Sequence, residues 1–205
     1  MNNWISGLSE ELQKPLPGAE AQLRMAPSLR KTASSDKPFR KSGVMLLLYS
    51  CNASIHIVFI KRTEYEGVHS GQVSFPGGMY EETDITLANT ALRETMEETG
   101  IPVDEVKIIG QLTPLNIPVS NTDVFPYVGV SQNRPIFKHN PSEVEYLIEV
   151  RIDELLDPLK QKQKTISIAG NDIEVPYFEI QNNHIWGATA MILSEFLEIF
   201  RRTMC

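Results

Sequence analysis

Apolar residues fall into short continuous runs in some parts of the chain and into helical stripes in others. Val44–Tyr49 (VMLLLY) and Ile55–Lys61 (IHIVFIK) are short runs joined by Ser-Cys-Asn-Ala-Ser, which predicts a hairpin of buried strands. His56 falls within the second run and reads as a strand surface residue. Farther on, Ala88, Ala91, Leu92 and Met96 recur at helical spacing, predicting a helix that starts near Leu87. Gly100 ends it, since glycine tolerates the positive φ of a helix C-terminal residue. Trp4, Ile5, Leu8 and Leu12 predict a short helix before Pro15, and a second sits between the prolines of residues 15–27. Val106–Leu112 and Val124–Val130 read as strands, separated by a proline-broken loop. Asn140–Glu145 is a turn leading into another strand. Ile152, Leu155, Leu156 and Leu159 predict a short amphipathic helix interrupted by Pro158. Thr165–Ile168 and Ile173–Ile180 flank Gly170-Asn171-Asp172 and predict a second hairpin. His184–Ala190 is expected to open a long helix reaching about Arg202, with Trp186 as a core or interface anchor.

Composition narrows the class. The 205 residues with 41% hydrophobic content suit one domain with a sizeable core. Residues 1–42 read as a helical lead-in followed by a polar, mobile connection (31–42), and 43–205 as the main body. The net charge of −7 argues against nucleic acid or a membrane surface as partner. An acidic chain that acts on a polyanion therefore needs a cation or local arginines at its site. Cys51 and Cys205 have no framework spacing and read as reduced thiols. The first residues lack a basic start and apolar run, and no 18-residue apolar stretch occurs, so the expected location is the cytoplasm.

The candidate chemistry lies in the helix near Leu87. Glu94, Glu97 and Glu98 stand at i, i+3 and i+4, on one side of that helix and away from its apolar stripe. Like charges so placed destabilise a helix by roughly 0.2–0.5 kcal/mol per pair. A hard divalent cation with oxygen ligands would offset this. A solvated acidic face is the alternative that these residues by themselves leave open. A calcium loop is excluded, because no DxDxDG pattern is present.

The stretch GGMYEETDITLANTALRETMEETGI, Gly77–Ile101, resembles the Nudix box, the loop–helix signature of hydrolases that cleave nucleoside diphosphates linked to another group. Gly78, the acidic loop and Arg93–Ile101 match the order of residue types in that box. The spacing from Gly78 to Arg93 is one residue longer than in the common box, and the loop acid is Asp84 rather than Glu. Both departures are similar to those of one branch, the coenzyme A pyrophosphatases. The resemblance implies an α/β fold, an α/β/α sandwich around a mixed β-sheet with a loop–helix–loop catalytic motif. It implies Mg²⁺ or Mn²⁺ as cofactor, held by Glu94 and Glu98, with Glu97 as a third ligand or as the base that orients water. Arg93 is expected to hold Glu97 at i+4, and Glu143 is a second candidate base from the downstream loop.

The coenzyme A branch also carries an upstream signature that Arg62, Gly71 and Phe75-Pro76-Gly77-Gly78 resemble. Ile60 stands where the branch has Thr, and Gly67 where it has a second Arg, so that phosphate contact is either absent or supplied by Lys61 or His69. Arg62 is a candidate bidentate phosphate contact. Phe75 either packs beside a base or acyl group or forms the turn that delivers the glycines. The implied substrate is a small-molecule nucleotide, coenzyme A or a derivative, cleaved to 4′-phosphopantetheine and adenosine 3′,5′-bisphosphate. ADP-ribose or a dinucleotide is the alternative substrate, a non-catalytic nucleotide-binding module the alternative class, and a homodimer is compatible with the resemblance.

Overall fold

The computed structural model describes residues 3–28, 38–64, 71–168 and 171–204. Two short helices lead in, α1 (Asn3–Glu11) and α2 (Gly18–Leu23). Strands β1 (Arg40–Cys51) and β2 (Ser54–Arg62) form the expected hairpin, with Leu48 opposite Ile57. Its two-residue turn puts Asn52 and Ala53 at φ 50° and 60°, the left-handed turn that matches strand twist. Two short strands follow, β3 (Val73–Ser74) and β4 (Gly77–Met79), and then helix α3 (Leu87–Thr99). The chain continues through β5 (Val106–Gln111), β6 (Leu115–Ile117), β7 (Thr122–Ser131), β8 (Val144–Arg151) and α4 (Ile152–Leu156). It closes with β9 (Gln161–Ile168), β10 (Asn171–Ile180), β11 (Asn183–Trp186) and α5 (Gly187–Arg202).

The main sheet runs β3-β2-β1-β7-β5, with β4 paired to β1, β6 to β7 and β8 to β2. It is mixed, because β1 and β7 lie parallel while the other pairs are antiparallel. β1 is apolar without alternation because both of its faces are covered. Met45, Leu47 and Tyr49 pack with Ala91 of α3 on one side. Leu46 and Leu48 pack with Phe196 and Ile199 of α5 on the other, in the larger core. Each such fully buried side chain contributes roughly 1.5–3 kcal/mol. Helices thus flank the sheet on both faces, which is the expected α/β/α sandwich. Leu8, Leu12 and Met25 join the α5-side core, so the lead-in helices are packed into the body of the protein. Among the described residues no helix is long and apolar enough to cross a membrane.

Three departures from the sequence reading have local causes. β1 begins at Arg40, so Arg40–Ser42 are strand rather than connection, held by the parallel partner Thr122–Val124. Residues 31–37 of that connection lie outside the described residues. The amphipathic segment 151–162 gives only α4 and one 3₁₀ turn, Pro158–Lys160, before β9 starts at Gln161. His184–Trp186 are strand, not helix: Gln181 and Asn182 at φ 48° and 62° make a tight hairpin that pairs Asn183 with Ile180. α5 starts only at Gly187, whose φ of 63° turns the chain into it.

Candidate active site

The site forms where β4 delivers two glycines to the side of α3. Phe75 anchors this delivery: its ring stacks on Phe59 at 4.9 Å between centroids and is buried in the core. It is therefore unavailable to a base or acyl group, and of the two expectations for it the turn-forming one fits. At Gly77, a Cβ would lie 2.5 Å from the Gly43 carbonyl oxygen and 2.6 Å from Val44 Cα. At Gly78, a Cβ would lie 2.3 Å from the carboxylate of Glu94. These glycines let backbone and carboxylate approach more closely than any side chain would allow.

The loop between β4 and α3 is set by hydrogen bonds among its own residues. The Glu81 N–H donates to Asp84 Oδ2 at 3.0 Å and the Asp84 N–H to the Glu81 carbonyl at 2.9 Å. Ile85 follows at φ 65°, ψ −44°, and the Thr86 N–H closes back on the Asp84 carbonyl at 2.7 Å. This is a γ-turn of the strained kind, rare for a β-branched residue, and it leaves Ile85 80% exposed. Thr86 Oγ1 then caps α3 by accepting the Asn89 N–H at 3.2 Å. At the other end Gly100 sits at φ 77° and donates to the Met96 carbonyl at 2.8 Å.

This loop turns Asp84 inward to meet Arg93. Arg93 Nε donates to Asp84 Oδ1 at 2.7 Å, and Thr90 Oγ1 donates to Oδ2 at 2.7 Å. Asp84, buried, is held well below the usual carboxylate range, chiefly by the Arg93 hydrogen bond. The same guanidinium donates to Glu94 at 2.9 Å, to Glu97 at 3.1 Å and to the Met79 carbonyl at 3.1 Å. The expected Arg93–Glu97 pair is present, and Asp84 is the partner that fixes the arginine. Asp84 stands nine residues before Arg93 in sequence, a separation that no helix periodicity links.

The three glutamates are not equivalent. On a helix, residue 97 and residue 98 stand 100° apart on either side of residue 94. Glu97 faces solvent, with its side chain 45% exposed, whereas Glu98 is 1% exposed. The alternative of a wholly solvated acidic face therefore fails at Glu98. Its Oε2 accepts the Gly77 N–H at 2.8 Å and its Oε1 pairs with Arg62 at 3.0 Å. Burial pushes the Glu98 carboxyl up to about 7, against the pull of Arg62 and the Gly77 N–H. The charges of Glu94 and Glu143 add to that rise. Burial also raises Glu94, with Arg93 opposing.

Arg62 is already engaged within the protein through Nε and Nη2. Besides Glu98 it donates to the Gly77 carbonyl at 2.8 Å and to Ser74 Oγ at 3.3 Å. Like-charge repulsion among the glutamates is thus relieved by two arginines of the chain itself. Among the described residues no three His, Cys, Asp or Glu side chains converge as a metal-ligand set. The donors themselves suit a divalent cation: Glu94 and Glu98 offer hard, desolvated oxygens beside a glycine cradle, and both hold negative charge poorly without a counter-ion.

The remaining sequence candidates lie at the rim. Glu143 is exposed at the start of β8, and its carbonyl accepts the Thr63 N–H at 3.1 Å, one residue from Arg62. Gly71 turns at φ 62°, and its carbonyl accepts from the Lys61 ammonium. Gly67 and His69 lie outside the described residues.

Residues 23–168 match the NUDIX domain family. The chain is 30% identical over 177 residues to a protein of Photorhabdus laumondii subsp. laumondii named as an uncharacterized Nudix hydrolase NudL, covering 86% of this chain and 92% of that one. A protein of the same name from Pectobacterium atrosepticum is 32% identical over 174 residues, 85% of this chain and 88% of the other. The fold is similar to the crystal structure of a MutT protein from Methanosarcina mazei Go1, with a TM-score of 0.52 and 19% identity over 82% of this chain and 97% of that one. The glycine-cradled glutamates, the clamped arginine and these likenesses agree, and the chain belongs to the Nudix hydrolase family.

Proposed function

We propose that this hydrolase cleaves the pyrophosphate bond of coenzyme A or a derivative, with Mg²⁺ or Mn²⁺, to 4′-phosphopantetheine and adenosine 3′,5′-bisphosphate. One observation carries the reaction class: two desolvated carboxylates one helical turn apart, Glu94 and Glu98, flanked by Arg62 and Arg93 at the glycine turn. Glu94 and Glu98 are the residues that would hold the cation. When bound, the cation would neutralise diphosphate oxygens and lower the pKa of a water nucleophile. Glu97, more exposed than its neighbours and steadied by Arg93, is the group that would accept a proton from the attacking water. Glu143, at the rim and close enough for its charge to reach Glu98, is the competing base. Arg62 keeps Nη1 without a partner among the described residues and can offer it to a phosphate oxygen.

The choice of coenzyme A rests on the likeness of Arg62, Gly71 and Phe75–Gly78 to the upstream signature. A panel of coenzyme A, acyl-coenzyme A, ADP-ribose and NADH, incubated with each metal and read by product mass, tests it. The expected products from coenzyme A are 4′-phosphopantetheine and adenosine 3′,5′-bisphosphate. Cleavage of ADP-ribose with coenzyme A left intact would overturn the substrate assignment.

A further inference from the structure

Lys61 and Arg62 are neighbours in β2, and their side chains serve different faces of the sheet, as strand alternation requires. Arg62 reaches Glu98 of α3. Lys61 instead borders an open pocket of about 260 Å³ that lies against the small sheet. The facing wall is Lys164 of β9, Asn182 of the β10–β11 turn, and Asn183, His184 and Trp186 of β11.

The wall carries two ammonium groups and no carboxylate, in a chain with 26 acidic and 19 basic residues. Neutral groups hold both cations. Lys61 donates to the Gly71 carbonyl. Lys164 Nζ stands 5.3 Å and 5.6 Å from the ring centroids of Tyr177 and Trp186, and 3.4 Å from His184 Nδ1. Among the described residues the lysines with carboxylate partners are Lys14, Lys160 and Lys162, so neither pocket lysine has one. Glu179, 4.0 Å behind His184, is itself paired with Lys162, and Glu64 lies beside Gly71 without pairing with Lys61. Two uncompensated cations beside a histidine and side-chain amides make a site for a compact anion that takes several hydrogen bonds. The volume is smaller than the roughly 300–1,000 Å³ of pockets for whole drug-sized ligands, and suits a phosphoryl group with part of a sugar.

We propose that this pocket, separate from the glutamate site, binds a phosphate monoester between Lys61 and Lys164. The monoester is either the 3′-phosphate of a coenzyme A substrate or a separate monophosphorylated molecule, and two measurements tell these apart. The first is calorimetric titration of adenosine 3′,5′-bisphosphate into the metal-free protein, for the native chain, Lys61→Gln, Lys164→Gln and Lys164→Arg. Each glutamine variant should bind about tenfold more weakly, equivalent to about 1.4 kcal/mol. Lys164→Arg, which keeps the charge, should bind within a few-fold of the native chain. Absent binding by the native chain, or equal binding by the glutamine variants, overturns the site.

The second measurement compares kcat/KM for coenzyme A and dephospho-coenzyme A, and this arm alone rests on the coenzyme A reading. A tenfold greater loss for coenzyme A in Lys164→Gln, expressed in KM, identifies the monoester as the substrate's own. Equal losses on the two compounds, with binding still weakened, identify it as a separate ligand. Failure of the native enzyme to cleave either compound removes the coenzyme A reading and leaves the titration to decide the pocket.

Discussion

Two glutamates among the described residues are almost wholly buried, and they are solvated by the protein in opposite ways. Glu195 of α5 is 0% exposed and meets only neutral donors. Its Oε1 accepts from Thr113 Oγ1 at 2.6 Å, Gly18 N–H at 3.2 Å and Thr113 N–H at 3.3 Å, and its Oε2 from Gln22 Nε2 at 2.8 Å. Those bonds tie the lead-in helix and the loop before β6 to the C-terminal helix. Glu98, at 1% exposure, has one backbone N–H and one arginine, and sits among other carboxylates. A buried carboxylate with a full set of neutral donors acts as a clamp. One that is short of donors and crowded by like charge is poised to take a proton or a cation.

The largest effect that would sharpen this contrast is on turnover. Glu98→Gln should reduce hydrolysis to background at saturating metal, because it removes an anionic oxygen that no neighbour replaces; retained activity would return Glu98 to the same class as Glu195. Glu97→Gln should cost roughly 10²–10⁴ in kcat, the scale of a positioned base, with metal affinity much less affected. A larger loss in Glu143→Gln would move the base to the loop before β8.

Glu195 should behave in reverse. Glu195→Ala leaves buried donors of Gly18, Gln22 and Thr113 without an acceptor, at about 1–3 kcal/mol for each that water cannot reach. Thermal unfolding should shift strongly downward while kcat per folded molecule stays near native. Lost kcat at full stability would break the comparison.

The smallest predicted effect is in pH dependence without metal. Glu98 rises from an ordinary 4.5 to about 7 in the folded chain, so the folded state holds a proton that the unfolded state has lost. Its contribution is complete below about 4.5 and disappears as pH rises through about 7. Native protein in EDTA should therefore lose up to about 3 kcal/mol relative to Glu98→Gln over that window. Parallel stability profiles for the two proteins would refute this. Asp84 has the opposite sign: its depressed carboxyl contributes stability above about 3.8 that is lost on further acidification.

Much of this was legible in the chain. The limits of α3 are local chemistry: a threonine that caps by its own hydroxyl and a glycine that accepts positive φ. Both hairpins follow from apolar runs broken by turn residues, and the order Gly78, acidic loop, Arg93–Glu98 carries the family within one short stretch. The extra strand β11 was not legible, because His184–Trp186 becomes strand only by pairing with β10.

Sequence by itself determined the helix, its three glutamates and the arginine beside them, since spacing along one helix fixes which residues share a side. Tertiary structure alone decided what each glutamate became. Glu97 and Glu98 are the same residue type at adjacent positions, and the 100° between them sends one to solvent and the other beneath Gly77. It likewise made Arg62 the partner of Glu98, and Phe75 a core anchor against Phe59. A residue's charge and size are written in the chain, but its dielectric surroundings and its partners come from segments distant in sequence, and only packing brings those together.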